Sequence, residues 1–578
     1  MQNEGTPFLT DAQLKAELAR CEYCAEKPCR EACPADCSPA DFIMAARVGA
    51  PGDYRRAAAL ILGHNPLGGV CGAVCPDFHC MKACVHRTFD HPVNIPAVQA
   101  TLVQKAKELG LDPHFSPRPP SGQRVAVVGA GPAGLGAAAM LARQGHSVEV
   151  FEAGKLTGGM ANLIPDHRLD KAVLRSDVAF LKAITGATFH VEHPVAEPAS
   201  LLAQGFQAVV VATGQDEPFR LGIPGKEAAV NWISFLRAPG SLKGRRVIVA
   251  GGGAVAVDCA VTAKRLGAEV ELLCLEKLDE MPLTGAERAE LLEEGLAVTG
   301  RTRIVEICTE GGVVKGARTQ RVRLPQGQAF SPRAMVDDAD AGIQNLACDV
   351  VVIAIGARPS LKREEVPGLF YAGDAVNGPT TVVQAVASGK NVALAVDAFL
   401  AKRSAPAIPQ ATKSREALPG LQLQPVSLET DFFGRKIPSP FLLSAAPPSD
   451  GYDQMRKAYE AGWAGGVMKT SFDGVPIHIP GEYMFALTAN TYGNCDNVSG
   501  HPLDRVCAEI RRLVVEFPDR LTMASTGGPV TGDDAHDRAG WQSNTKKLEA
   551  AGAMGIEYSL SCPQGGDGTK GDIVSQDP

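Results

Sequence analysis

Nine of the 16 cysteines in this 578-residue chain lie within its first 84 residues, in two tight runs. The first is Cys21-x2-Cys24-x4-Cys29-x3-Cys33-Pro34, with Cys37 just beyond; the second is Cys71-x3-Cys75-Pro76, then Cys80 and Cys84. An iron–sulfur cluster takes four ligands, mostly thiolates, and short Cys spacings followed by Pro supply them. The expected chemistry is therefore electron transfer. Disulfides suit small secreted domains, whereas this long chain opens MQNEGTPFLT, with no apolar signal segment. Zinc sites usually come as well-separated pairs of ligands. Here four cysteines follow one another at unequal gaps, twice, which favours iron–sulfur.

Two further motifs bind nucleotides. Gly129-Ala-Gly131-Pro-Ala-Gly134 follows the apolar run Arg124–Val128 and opens an apolar helical stretch, 133–144. Its glycines allow a tight turn, approach of the backbone to a pyrophosphate, and close packing of helix on sheet. The helix N-terminus then offers unpaired N–H groups to the phosphates. Glu152 ends the next strand, where a carboxylate can accept from ribose hydroxyls. Gly158-Gly159, the strand end Ala212-Thr213-Gly214 and the later Gly373-Asp374 resemble the split FAD domain of two-dinucleotide flavoproteins, in which the Gly-Asp carboxylate holds the ribityl chain. A second unit, Gly251-Gly-Gly253-Ala-Val-Ala256, fits GxGxxA and is expected to hold the nicotinamide nucleotide. Glu276 ends its second strand. An acid there accepts from a 2′-hydroxyl and repels a 2′-phosphate, favouring NAD(H) over NADP(H), with Lys277 and Arg265 as the basic residues acting against it.

The elements that position these residues are readable in outline. Composition is that of a globular chain, 45% apolar and 21% charged. A net charge of −7 and 5% aromatics argue against a nucleic-acid surface, and no run reaches the ~20 apolar residues that span a bilayer. A cytoplasmic location is expected from thiol content and the missing signal. The expected fold is multidomain α/β: a helical iron–sulfur domain, 1–115; an FAD domain in two parts, 116–245 and 350–403, split by an NAD(P)H domain, 246–349; a Pro-rich linker, 404–427; and a further α/β segment, 428–578. Both nucleotide domains are Rossmann-like.

That order, with Asn65-Pro-Leu-Gly-Gly-Val-Cys71, Asp258-Cys-Ala260 and Met281-Pro282, resembles the dihydropyrimidine dehydrogenase family; residues 1–400 also resemble the glutamate synthase small subunit. Ser444-Ala-Ala-Pro447, Val467-Met-Lys-Thr470 and Ser559-Leu-Ser-Cys-Pro563 extend the first resemblance to the C-terminus. It implies one [4Fe–4S] cluster on Cys21, Cys24, Cys29 and Cys84, and another on Cys33, Cys75, Cys80 and the side chain of Gln99. Cys37 and Cys71 would be spare thiols; spacing alone does not choose between Cys71 and Gln99. It also places Arg168 among the cofactor contacts. The final segment would be part of a TIM-type, dihydroorotate dehydrogenase-like barrel holding FMN and substrate. Lys469 and Thr470 would touch FMN, Asn494 and Ser559 face the substrate, and Cys562 protonate the pyrimidine ring opposite the flavin.

Ser559 and Gln564 stand where the family has asparagine and histidine. By count the barrel reaches about its fourth strand at Pro578, whereas closure takes eight. A fragment is therefore expected, holding FMN only if the barrel is completed. The expected function is NAD(P)H-dependent reduction of the C5=C6 bond of uracil or thymine through FAD, clusters and FMN. The alternatives are an electron-input module serving a partner protein, and an ene-reductase of a non-pyrimidine substrate. A homo-oligomer is expected, with no membrane or nucleic-acid partner.

Overall fold

The computed structural model describes residues 8–116, 118–423, 428–474, 484–489, 491–494 and 498–560. The chain divides into two compact units, Met1–Gln424 and Pro425–Pro578.

The first unit begins with six short helices, Asp11–Arg20 to Ile95–Glu108. Local chemistry starts them: Thr10 and Gln13 form a capping box, and Pro28, Pro39 and Pro51 occupy first helical positions, where a missing N–H costs nothing. Phe42, Ile43, Ile61, Leu62, Val98 and Leu102 form their core.

The flavin domain is a five-stranded parallel sheet in the order 369–371, 208–211, 124–128, 147–151, 188–190. Helices cover parallel strands on both faces, so these strands read as unbroken apolar runs such as Ala208–Val211. Helices Pro132–Arg143 and Val382–Leu400 pack so closely that a Cβ on Gly389 would lie 1.9 Å from the Ala133 carbonyl oxygen. The nucleotide domain is a second five-stranded parallel sheet, ordered 297–299, 269–273, 246–250, 350–353, 230–231.

Two expected boundaries are corrected. Val350–Ile353 pairs with Arg246–Ala250, and Trp232, Ile233 and Phe235 lie in the nucleotide-domain core, so that domain runs from about 230 to 354 rather than 246–349. Pairing with a distant strand decides this, and local pattern does not record it. The two crossings between the domains meet as an antiparallel pair, Glu217–Pro218 with Ala357–Arg358.

Nor is the described part of 404–427 a free linker. Asn391, buried on the long flavin helix, donates to the carbonyls of Gln410, Ala411 and Lys413 at 3.3, 3.1 and 2.7 Å. Ser414 N–H donates to Pro34, Leu418 N–H to Gly63, and Leu421–Gln422 pairs with His114–Phe115. The segment straps the iron–sulfur domain to the flavin domain.

The second unit holds a four-stranded parallel sheet in sequential order, 442–443, 465–468, 521–526, 556–558, with helices Tyr452–Glu460, Leu503–Glu516 and Asp534–Ala550. Among the described residues this sheet has four parallel strands. Among the described residues no helix is long and apolar enough to cross a membrane.

Candidate redox centres

Cys21, Cys24, Cys29 and Cys84 line one cavity, walled by Pro28, Ile43, Val93 and Ile95. They come from a loop, a helix of five residues and the end of the second cysteine run, so the fold joins what the sequence separates. Among the described residues no three His, Cys, Asp or Glu side chains converge as a single ion would require. Four cysteines lining one cavity match the thiolate donor set of an iron–sulfur cluster. Burial raises the Cys21 thiol and pushes Cys29 up to about 11. A buried thiolate there needs a cation to offset it, and bound metal supplies one.

Cys33, Cys37, Cys71 and Cys75 form a second group, packed with Ala35, Val382 and Val383. The Cys37 side chain hydrogen-bonds Cys33 and pulls it down to about 7, while Cys37 itself is raised. Burial raises Cys75 and Cys80, and pushes Cys71 up to about 12. Gln99 donates from Nε2 to the Gly68 carbonyl at 2.7 Å, which orients its side chain.

The first phosphate turn has the shape a pyrophosphate needs. Gly129 has φ +103°, and a Cβ there would lie 2.5 Å from the Ala212 carbonyl oxygen. The Gly158-Gly159 loop folds over the turn: a Cβ on Gly159 would lie 2.7 Å from Gly131 Cα. Gly134 lies on the helix behind, where a Cβ would strike the Gly129 carbonyl. Glu152 accepts from Ala130 N–H at 2.9 Å and Gly154 N–H at 2.7 Å, so its carboxylate is fixed beside the turn. Thr213 Oγ1 is buried without a partner beside Gly214, a hydroxyl in want of one. Asp374 follows Gly373, accepts from Thr380 Oγ1 at 2.5 Å, and is raised by burial. These residues fit a flavin dinucleotide.

At the second turn a Cβ on Gly251 would lie 2.2 Å from the Ala354 carbonyl oxygen, and one on Gly252 2.3 Å from Glu276 Oε2. Gly253 caps the helix Ala254–Arg265, and Ala256 is buried within it. Arg265 is held by Glu294 at 2.8 Å and lies 3.8 Å from Glu290.

Arg168, expected among the cofactor contacts, lines the cleft beside the nucleotide turn. Its guanidinium pairs with Asp258 at 2.6 Å and Glu287 at 3.0 Å, both on nucleotide-domain helices, while His167 Nε2 lies 2.8 Å from Glu290. Burial raises the Asp258 carboxyl against the pull of Arg168, and two carboxylates hold the guanidinium between the domains. Sequence reasoning missed this bridge between domains; an acid in the middle of an apolar helix, Asp258, was its signal.

In the second unit Lys469 and Thr470 follow the strand Gly465–Met468 and are buried; Thr470 Oγ1 lies 2.8 Å from Ser525 Oγ. Ser559 N–H donates to the Thr526 carbonyl at 2.8 Å. Residues 469, 470, 525 and 526 thus gather at the C-terminal ends of parallel strands, where α/β sites form. Asn494 ends a strand, pairing with Met484 in an unforeseen hairpin. Cys562 and Gln564 lie outside the described residues.

A single cleft of about 2530 Å3 runs past the nucleotide turn Gly251–Gly253, Glu276, Arg168, Thr380 and Cys75. It exceeds the ~300–1,000 Å3 of an ordinary ligand pocket. A cysteine-rich helical domain, two dinucleotide turns and one shared cleft define the class: a pyridine nucleotide-linked iron–sulfur flavoprotein oxidoreductase.

Comparison with known proteins agrees. The family described as dihydropyrimidine dehydrogenase domain II, 4Fe-4S cluster, matches residues 2–111. The pyridine nucleotide-disulphide oxidoreductase family matches residues 123–365. The NAD-dependent dihydropyrimidine dehydrogenase subunit PreT of Escherichia coli (strain K12) is 30% identical over 425 residues, 69% of this chain and 97% of that protein. The NADP(+)-dependent formate dehydrogenase subunit beta of Moorella thermoacetica is 32% identical over 429 residues, 64% of this chain; the chain spans 60% of that relative's length. The chain belongs to the dihydropyrimidine dehydrogenase-like family of iron–sulfur flavoprotein oxidoreductases.

Proposed function

We propose that this chain draws electrons from NADH, passes them to two [4Fe–4S] clusters, and serves the reduction of the C5=C6 bond of uracil or thymine. The observation that carries the reading is the cleft that meets the nucleotide turn, Thr380 beside Asp374, and Cys75 in one space. When bound, FAD supplies hydride acceptance and single-electron release, the clusters carry electrons one at a time, and FMN supplies hydride to the substrate.

The chain's own residues have separate tasks. Gly129, Gly131, Gly134 and Gly159 would cradle the flavin pyrophosphate; Glu152 would accept from ribose, Thr213 and Gly214 would contact the flavin, and Asp374 would hold the ribityl chain. Glu276 would accept from the nicotinamide nucleotide's ribose. Arg265 is committed to carboxylates and less free for a 2′-phosphate, which favours NADH. Cys21, Cys24, Cys29 and Cys84 would hold the first cluster; Cys33, Cys75, Cys80 and Gln99 the second. Lys469 and Thr470 would position FMN, Asn494 and Ser559 the pyrimidine, and Cys562 would deliver a proton to the ring carbon opposite the hydride. A thiol with a pKa of about 8.5 is mostly protonated at neutral pH and still able to give up its proton.

The test is NADH-dependent uracil or thymine reduction by a chain with a complete barrel. Cys562→Ala should leave flavin reduction intact and lower turnover by ~10²–10⁴-fold, the usual worth of a positioned general acid. Full turnover in that variant makes the thiol structural. Indifference of the intact enzyme to both pyrimidines turns the reading to another ene-reductase.

A second reading, an electron-input module, is favoured by the word subunit in both relatives' names. Under it NADH is oxidised with an artificial acceptor and not with uracil until a partner protein is added.

A further inference from the structure

Lys390 has no task in the reading above. It lies on the flavin-domain helix Val382–Leu400, and none of its side chain reaches solvent. Its Nζ donates to the His64 carbonyl at 2.6 Å. One neutral carbonyl is poor compensation for a fully buried ammonium, which calls for negative charge nearby. The Asp36 and Glu416 carboxylates act on it, and Asp36 is already paired with Arg30 at 2.9 Å. Cys33 and Cys37 also act on it electrostatically. Position says the same. Val383 lies two helical turns earlier on the same face and packs with Cys37 and Cys71, with Cys33 and Cys75 against the same group. The helix thus leads from the flavin-domain residues Thr380 and Thr381 past the second cysteine group to a buried cation.

We propose that Lys390 is a positioning residue that sets the reduction potential of the second cluster. The charge on its ammonium would stabilise the unit of negative charge that the cluster gains with each electron. NADH would give its hydride, two electrons with the C–H bond broken, to the flavin, and the reduced flavin would release them singly; the transfer of one electron to the cluster makes and breaks no bond. Net charge and burial are the levers by which a protein tunes such a potential. Lys390 raises it and makes this cluster the ready acceptor for electrons leaving the flavin. The inference rests on the assignment of Cys33, Cys75, Cys80 and Gln99 to that cluster.

The experiment is an anaerobic potentiometric titration of the full holoprotein, followed by electron paramagnetic resonance. The second-cluster signal is identified as the one lost in Cys75→Ser. At the wild-type midpoint, Lys390→Met should lower the ratio of reduced to oxidised second cluster about tenfold, or ~59 mV for one electron. Lys390→Arg should restore it. Asp36→Asn removes a neighbouring anion and should move the ratio the other way. Asp36 has φ +59°, a conformation asparagine tolerates well, so this variant should fold. The first cluster should titrate unchanged in all three. An unshifted second cluster in Lys390→Met and Asp36→Asn reduces Lys390 to a structural tether. If Lys390→Met fails to assemble the cluster, Asp36→Asn decides: no shift, or a shift downward, overturns the proposal. Iron analysis keeps the two failures apart. A wild type with about four irons in place of about eight overturns the cluster assignment itself, and this inference with it.

Discussion

Glu276 is the residue on which nucleotide choice turns. Its carboxylate presses against Gly252 at the phosphate turn, and the guanidinium that could oppose it, Arg265, is occupied by Glu294. Lys277 is exposed beyond it. Glu276→Arg should raise the ratio of kcat/KM for NADPH to that for NADH by about tenfold or more, because a charge-assisted hydrogen bond contributes ~1.5–3 kcal/mol. Stopped-flow reduction of the flavin with each nucleotide measures it. An unchanged ratio would mean that the 2′ position lies away from residue 276. Arg168 carries the opposite lesson. The resemblance set it among the cofactor contacts, and its partners, Asp258 and Glu287, sit in another domain.

Helix crossing is the critical feature at the next scale. The helices Pro132–Arg143 and Val382–Leu400 share the flavin domain's core, and one begins at the phosphate turn while the other follows Asp374 and Thr380. Gly136 and Gly389 make the approach possible: a Cβ on Gly136 would lie 2.6 Å from the Val386 carbonyl oxygen. Gly389→Ala gains helix propensity and meets backbone, which cannot swing aside. Overpacking of this kind costs about 1–3 kcal/mol, and the helices must separate to relieve it. The expected outcome is a lower urea midpoint together with loss of flavin absorbance on gel filtration. A variant that keeps its flavin and its midpoint would show that the crossing yields.

For the whole molecule, the strap 404–423 decides where the first unit ends. A chain stopping at Gln424 keeps every described strap contact and should fold, hold flavin and reduce an artificial acceptor with NADH. A chain stopping at Arg403 leaves Asn391 without its three carbonyls and uncovers the site of Leu418, which is 1% exposed. Loss of buried hydrogen bonds and of one leucine's burial should lower stability by about 3 kcal/mol or more. Comparison of the two chains by urea unfolding measures it. Equal stabilities would make the strap a passive tether, as its proline content first suggested.

The sequence by itself determined the chemistry whose signals are local. Cysteine spacing announced iron–sulfur ligands, glycine spacing after a β-branched run announced two dinucleotide turns, Glu152 and Glu276 were placed at the ends of the strands that follow those turns, and Asp374 by its Gly-Asp strand end. Each signal needs only a few neighbouring residues, because a phosphate turn or a run of thiolates is built within one stretch of chain. Tertiary structure decided what depends on distant segments meeting. It brought Cys84 to Cys21, moved both boundaries of the nucleotide domain through the pairing of Val350–Ile353, and turned a linker into a strap. It also joined Arg168 to Asp258 across two domains and buried Lys390 beside the second cysteine group. A long charged side chain is drawn to whichever opposite charges the fold brings within reach, and no local pattern records which those are.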